Sequence, residues 1–495
     1  TVGTAVDFRP TKWLNFGTSL SYIYAVTNSS TSSYANASGM IPLVEPYDSN
    51  GNWVLFPNRD QQIINAINDR NTVFDETTAN RVFGNVYGEI TLFKGLKYRT
   101  MFGLDKRNSI RGTFNGSQSS VRLGSPANAS QTTNESSSWV YDNILTYNTK
   151  IAGDHSINIT ALHELQSLNR ASSLTMSANN LIFEQQKWYS LQRNTDATVT
   201  GSGTFTASQY LSYMGRVEYG YKNKYMVTLS SRYDNSSVLA EGNKGAWFPA
   251  ASLAWQIDRE GFFDRQSLFT SARLRAGYGR VGNASIAPYQ TAGPLGFTNY
   301  NWGNGTAAIG TAPTTFKTPN LTWEKTTTIN LGLEFALLKG RISGVIDLYK
   351  SNTTDQLQNR SIPGANGVTN VYFNLGEVSN KGIEIALSTQ NVASPKFRWS
   401  TDWMFTLNRE KIVDIDGSGN SNFANLWILG QPLQVYWGFK ADGIFQYDDT
   451  ARTGSLPNIY WAKNGRTNVN YQPGRIKIVD ANGDSAFSPA DRIVL

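Results

Sequence analysis

The run Phe397-Arg398-Trp399-Ser400-Thr401-Asp402-Trp403-Met404-Phe405-Thr406-Leu407-Asn408 alternates large apolar and polar side chains with a period of two. Successive side chains of a β-strand point to opposite faces, so this run has one greasy face and one polar face. The split recurs upstream. Ile329, Leu331, Leu333 and Phe335 oppose Glu324, Thr326, Thr328, Asn330 and Glu334, while Leu14, Phe16, Leu20, Tyr22 and Tyr24 oppose Asn15, Ser19 and Ser21. Such strands run about ten residues or more and come in pairs. Short turns join them at Phe93-Lys94-Gly95-Leu96, Tyr221-Lys222-Asn223-Lys224 and Leu338-Lys339-Gly340-Arg341. The opposite ends carry long polar segments, expected over Asn28 to Asp75, Asn108 to Ser138 and Gly282 to Asn320. About seven hairpins, or roughly fourteen strands, precede an irregular stretch from Asp416 to Leu495.

Composition narrows what such a chain does. Charged residues are 16% of the 495, against roughly 25% in a soluble domain, and aromatics are 12%. There is no cysteine and there are two histidines, which excludes disulfide scaffolds, zinc knuckles and thiol nucleophiles. The net charge of +7 is spread singly through Asn/Ser/Thr-rich stretches, so nucleic acid is not an expected partner. No apolar run reaches the length of a membrane helix. A soluble sandwich or propeller also alternates, but it does not keep one end of every hairpin short. A membrane barrel does both, because strands in lipid must satisfy their backbone internally and show an apolar face outward. The fold expected is therefore all-β, a transmembrane antiparallel β-barrel with the lipid bilayer as solvent.

Three motifs invite chemistry. Gly277-Tyr278-Gly279-Arg280-Val281-Gly282 spells G-x-G-x-x-G, but Asn283 to Tyr289 shows no helical period and contains Pro288, so a dinucleotide site lacks its helix. Arg216, Glu218, Arg232, Asp234, Arg273, Arg275, Glu324, Glu384, Arg398 and Asp402 all fall on the polar parity of their strands. They read as a hydrogen-bonded lumen wall, with Arg216, Glu218, Arg232, Asp234, Arg273, Arg275, Arg398 and Asp402 as candidates for substrate contact. Third, Asp480-Ala481-Asn482-Gly483-Asp484 continuing to Asp491 resembles a calcium loop, with side-chain oxygens from Asp480, Asn482, Asp484 and Asp491 and the carbonyl of Ala486. Ser485 in place of glycine and Asp491 in place of glutamate depart from that pattern, and an Asx-rich turn is the alternative. No clustered nucleophile and base is found, so no enzyme activity and no cofactor beyond that structural Ca²⁺ is expected.

Several segments resemble, in order, the SusC-like branch of TonB-dependent outer-membrane transporters. They are Arg232-Tyr233-Asp234-Asn235-Ser236-Ser237, Phe248-Pro249 with Trp255, Asn320-Leu321-Thr322-Trp323-Glu324 and Tyr349-Lys350. Asn374-Leu375-Gly376-Glu377-Val378-Ser379-Asn380-Lys381-Gly382-Ile383-Glu384 follows, then Asp442-Gly443-Ile444-Phe445 and the Asp480 to Arg492 segment. The resemblance implies a 22-stranded barrel with an N-terminal plug, in the outer membrane of a Gram-negative bacterium. On that resemblance no plug or TonB box is expected within this chain, and the last strands would follow Leu495. The chain is thus expected to be a barrel fragment: strands and long extracellular loops over 1–415, then an extracellular loop region over 416–495 truncated before the final strands. The resemblance also implies active import of oligosaccharides, or in some members peptides, energised by the TonB complex through the missing N-terminal part and capped by a SusD-like surface lipoprotein. Trp53, Tyr300, Trp302, Trp427 and Trp437 are loop aromatics able to stack on sugar rings. A passive porin or surface adhesin, and less so an outer-membrane hydrolase, are the alternative functions.

Overall fold

Fourteen long strands make one sheet, joined in sequence order without a crossover. The computed structural model describes residues 1–29, 34–60, 63–194, 196, 198–263, 268–301, 307–423, 425–444, 446, 474, 476–483 and 489–495. Along the chain the long strands are β1 (Val2–Thr11), β2 (Leu14–Asn28), β3 (Val73–Phe93), β4 (Leu96–Asn115), β5 (Asn128–Ile151), β6 (His155–Ala178) and β7 (Thr198–Tyr221). They continue as β8 (Tyr225–Ser236), β9 (Gly245–Gln256), β10 (Phe269–Asn283), β11 (Glu324–Leu337), β12 (Ile342–Thr354), β13 (Glu377–Ala393) and β14 (Arg398–Asp414). Short and long connections alternate along most of the chain, as the turn chemistry predicts; the exception is β8 to β10, where residues 237–244 join β8 to β9 and the longer 257–268 join β9 to β10. One expected loop needs correction. Residues 108–138 are mostly strand, because β4 runs to Asn115 and β5 starts at Asn128, leaving a loop of 116–127. Ser, Thr and Asn dominate there with little alternation, yet each of them in 108–115 and 128–138 has a ladder partner. The glycine motif at 277–282 lies inside β10, so no helix follows it.

Two compact units divide the residues. One comprises Thr1–Glu260, Gly279–Trp323 and Asn359–Phe373, the other Gly261–Tyr278, Glu324–Gln358 and Asn374–Leu495. In the second, register turns alternation along each strand into rows across strands. Leu331, Leu348, Ile383 and Leu407 stand side by side, and next to them Leu333, Ile346, Ile385 and Phe405. The intervening row on the opposite face is Gly332, Asp347, Glu384 and Thr406. Trp403 and Phe405 stack at 5.9 Å on the apolar side. In the first unit Phe102, Tyr141, Leu165 and Leu211 form such an apolar row, and Met101, Asp142, Glu164, Ser212 and Asp234 the adjoining one on the other face.

At the short-turn end of the first unit the apolar side ends in rings. Phe93 meets Tyr147 at 6.1 Å, Tyr221 stacks on Tyr225 at 6.5 Å, and His155 Nδ1 lies 2.8 Å from the Tyr219 hydroxyl. Rings with a polar tip suit an interface between hydrocarbon and water. One carboxylate ties this edge together. Glu260 accepts from Tyr225 Oη at 2.6 Å, Trp255 Nε1 at 3.1 Å and Lys224 Nζ at 3.1 Å, so it pins the β7–β8 turn to the end of β9. These donors hold its pKa down at about 2.

At the other end of the same unit, loops fold back onto the strands. Phe114, Ala129 and Gly112 continue the parity of Phe102 and Leu104 on β4 and β5, and the loop after β6 covers them with Trp188 and Leu191. Trp188 lies flat on Gly112, where a Cβ would sit 2.1 Å from the ring. Lys187 Nζ stands 3.4 Å from the Phe74 ring centre, closing the pad with a cation–π contact. In the second unit, among the described residues after Asp414, Trp437–Phe439 pairs with Arg492–Val494 and Ala441–Ile444 with Ile476–Ile478.

Two outcomes are expected from this architecture. In a bilayer, Leu333→Lys on the apolar face should cost roughly 2–4 kcal/mol at midplane depth, whereas Thr406→Lys on the polar face should cost little; denaturant titration in lipid vesicles measures both, and equal costs contradict the two-faced wall. The second concerns acid. Because folding depresses the Glu260 pKa, its contribution is present above the ordinary glutamate value and is lost as pH falls toward about 2. Thermal unfolding of Glu260→Gln should therefore depend less on pH between 4.5 and 2 than the parent does.

Candidate functional site

The polar face is a set of ion pairs held across strands. In the first unit Arg232 donates through Nη2 to Glu164 Oε1 at 2.7 Å and through Nε to Asp234 Oδ1 at 2.6 Å. Ser212 Oγ donates to the same Asp234 oxygen at 2.5 Å, and the buried Asp142 stands directly across from Glu164. The glutamate and aspartate are 14% and 16% exposed, so the guanidinium fork offsets a real desolvation cost. Register makes this cluster, since Asp142, Glu164, Ser212 and Asp234 occupy one row on four consecutive strands. Arg216 and Glu218 pair along β7 at 3.5 Å, and Asn158 Nδ2 donates to Glu218 at 3.0 Å.

A second network lies within the second unit. Arg275 Nε reaches Glu334 Oε1 at 2.8 Å and its Nη2 reaches Asp347 Oδ1 at 3.2 Å, while Arg273 Nη1 is 3.7 Å from Glu334. Gly332 leaves room for it. A Cβ there would meet Asp347 Oδ1 at 2.5 Å and Arg275 Nη2 at 2.9 Å. Glu384 is directly across from Asp347. Asp402 accepts from Ser388 Oγ at 2.5 Å, and Arg398 lies exposed at the short-turn end of the same face. Glu324 turns to a structural task, accepting from the Leu357 N–H at 3.1 Å.

The structure thus joins Arg232 with Asp234 and Arg273 with Arg275, but leaves Arg398 and Asp402 outside these networks. Glu164, Asp142 and Asp347 are the partners that sequence reasoning missed. Their signal is cross-strand register, which no single strand displays. His163 lies mid-strand on the apolar face, with Asn143 Nδ2 3.3 Å from its Nδ1 and its ring 5.2 Å from that of Tyr213.

Mouth loops frame the first network. Trp323 packs edge-on to Phe248 at 5.3 Å and donates from Nε1 to the Lys244 carbonyl at 2.8 Å. Val238, Leu239 and Ala284 complete that buried cluster, and the Phe248 ring occupies the space a Cβ on Gly282 would need. Beside it lies a recess of about 400 Å³, where Arg232, Asp234, Ser208, Tyr210, Asn283 and Ser285 present their edges. Of the loop aromatics, Tyr300 is exposed, Trp53 stacks on Tyr47 at 4.5 Å, and Trp437 lies 4.9 Å from Phe423. Trp427 packs against the cluster of Val378, Ile412 and Ile415, and Trp302 lies outside the described residues.

In the calcium-like segment, Gly483 N–H donates to Asp480 Oδ1 at 2.8 Å and Ala481 N–H to Asp491 Oδ1 at 3.1 Å. That is the bonding of an Asx-rich turn. Asn482 is exposed and Asp491 fully buried, while Asp484 and Ala486 lie outside the described residues.

An antiparallel meander with one apolar face, one ion-paired face and loops gathered at one end is the wall of an outer-membrane type β-barrel. The family model for the TonB dependent receptor-like β-barrel matches residues 8–489, and the chain belongs to that family. It is 29% identical over 513 residues to TonB-dependent receptor P26 of Formosa agariphila, covering 99% of this chain and 49% of that protein. With TonB-dependent receptor SusC of Bacteroides thetaiotaomicron the identity is 28% over 297 residues, covering 58% of this chain and 28% of SusC. The chain spans about half the length, or less, of the curated relatives it matches. Among solved structures, the RagAB peptide transporter superposes with a TM-score of 0.79 at 20% identity, covering 99% of this chain and 53% of that one.

Removing the fork should unsettle the wall. Arg232→Met is expected to cost roughly 1–3 kcal/mol by leaving two carboxylates without their donor, and adding Glu164→Gln should recover part of it. A double-mutant cycle by denaturant unfolding checks this, and additive losses contradict the coupling.

Proposed function

We propose that this chain is the barrel wall of a TonB-energised outer-membrane importer of oligosaccharides, working beneath a SusD-like lipoprotein lid, with peptides as the alternative cargo. The observation that carries the reading is the polar face. Many of its charges are paired with one another, as in Arg232 with Glu164 and Asp234, which suits a wall that lets large neutral or mixed-charge solutes pass without binding them tightly. Membership of the TonB-dependent receptor-like family supports the energy source, and the kinship with SusC supports the lid. The recess beside Arg232, with Tyr210, Ser208 and Asn283, supplies the mixture of ring and hydrogen-bonding groups that a sugar requires. The turn at 480–491 is proposed to hold a structural calcium ion.

The test uses the full-length protein in its own cell. Deletion should abolish growth on a particular oligosaccharide, loss of TonB should have the same effect, and affinity purification should bring down a surface lipoprotein. Growth unaffected on both glycans and peptides, with no lipoprotein recovered, would overturn the proposal. Uptake that persists without TonB would point to a passive pore.

A further inference from the structure

Above β3 and β4, in the first unit, a short helix α1 (Ala66–Thr72) meets the turn at 116–125 through side chains that are almost wholly buried. Asn65, fully buried, has its polar atoms matched: Nδ2 donates to the carbonyls of Pro46 at 2.9 Å and Val54 at 3.0 Å, and Oδ1 accepts from the Ile67 N–H. The next two polar residues differ. Asn68 is fully buried and donates from Nδ2 to the Gln118 carbonyl, yet its Oδ1 has no partner among the described residues. Asp69 is 2% exposed and accepts the Ser120 N–H at 2.7 Å on Oδ1, while its Oδ2 likewise has none. Asn68 thus reaches Gln118 and Asp69 reaches Ser120, two residues apart on one turn, and each side chain brings one unmatched oxygen.

Electrostatics selects among the possible occupants. A carboxylate taken out of water with a single backbone donor is costly unless a counter-charge stands beside it, and among the described residues Asp69 makes no ion pair. Two hard oxygens, one of them charged, are the donor type that binds Ca²⁺ or a similar hard cation. A water molecule can bridge two acceptors, but it leaves the charge uncompensated. We propose that Asp69 Oδ2 and Asn68 Oδ1 bind a calcium ion that fastens α1 to the 116–125 turn. One carboxylate and one amide make a weak site of the extracellular kind, filling at roughly 10⁻⁴–10⁻³ M. The site is separate from the 480–491 turn and from the lumen charges, so its fate is independent of the transport reading.

The experiment takes the full-length protein in detergent and carries Asp480→Asn to disarm the second candidate turn. Thermal unfolding in 5 mM CaCl₂, about five times the upper end of that range, should stand several degrees above the value in EDTA. Adding Asp69→Asn should erase the difference, and Asn68→Ala should shift the calcium midpoint at least threefold higher. No calcium response in the parent, or a full response in the Asp69→Asn protein, overturns the proposal. If Asp69→Asn does not fold, a high-resolution map of the unmutated protein in calcium decides. Density bonded to Asp69 Oδ2 at about 2.3–2.6 Å supports the ion, and density at hydrogen-bond distance, or none, refutes it.

Discussion

Backbone pairing is the constraint from which the rest of this molecule follows. A strand that leaves water must give each N–H and C=O a partner in its neighbours, and the twelve strands between β1 and β14 are paired on both sides, in sequence order with no crossover. Once pairing is uninterrupted, register is shared across the sheet, and register decides which side chains meet. The rows of Leu331, Leu348, Ile383 and Leu407, and of Gly332, Asp347, Glu384 and Thr406, are consequences of a single ladder. Slipping one strand by one residue would set carboxylates among leucines. The ion pairs and the apolar rows thus enforce the same alignment from opposite faces.

Much of this was legible in the residues. Alternation at Phe397 to Asn408 and at Ile329 to Phe335 named the faces correctly, and Lys94-Gly95 and Lys339-Gly340 marked real turns. What failed had a common cause. Residues 108–138 show little alternation because polar side chains fill one face and most of the other, Ile110, Phe114 and Ala129 apart, so periodicity had little contrast to report, although the backbone of 108–115 and 128–138 still pairs. The wall charges were recognised by parity, but Glu164 beside Arg232 and Asp347 beside Arg275 lie 68 and 72 residues away in sequence. Only the register brings them together. The Asn68–Asp69 pair was invisible for a different reason: an Asn-Asp dipeptide in a polar loop is ordinary until burial makes its oxygens costly.

Several of the segments that resemble the SusC-like branch make structural contacts. Phe248 and Trp323 interlock over Gly282, Glu324 fixes the start of a loop strand, and Ser379 donates to Asn352 at 2.8 Å. Tyr349 reaches Asn408 at 3.0 Å. Such positions hold the mouth loops and the long strands in register, and they are compatible with different cargoes.

The pad under Trp188 has a bearing on how the protein rests in its membrane. Gly112, Phe114 and Ala129 continue the same side of the sheet that carries Phe102 and Leu104, yet here the chain covers that side with its own loop. Lipid tails have no access where Trp188 and Leu191 already lie. The loop therefore behaves as a collar, setting a waterline on the outside of the wall: below it the sheet is wetted by hydrocarbon, above it by its own polypeptide. Its height, more than the total length of the strands, would fix how deep the barrel sits.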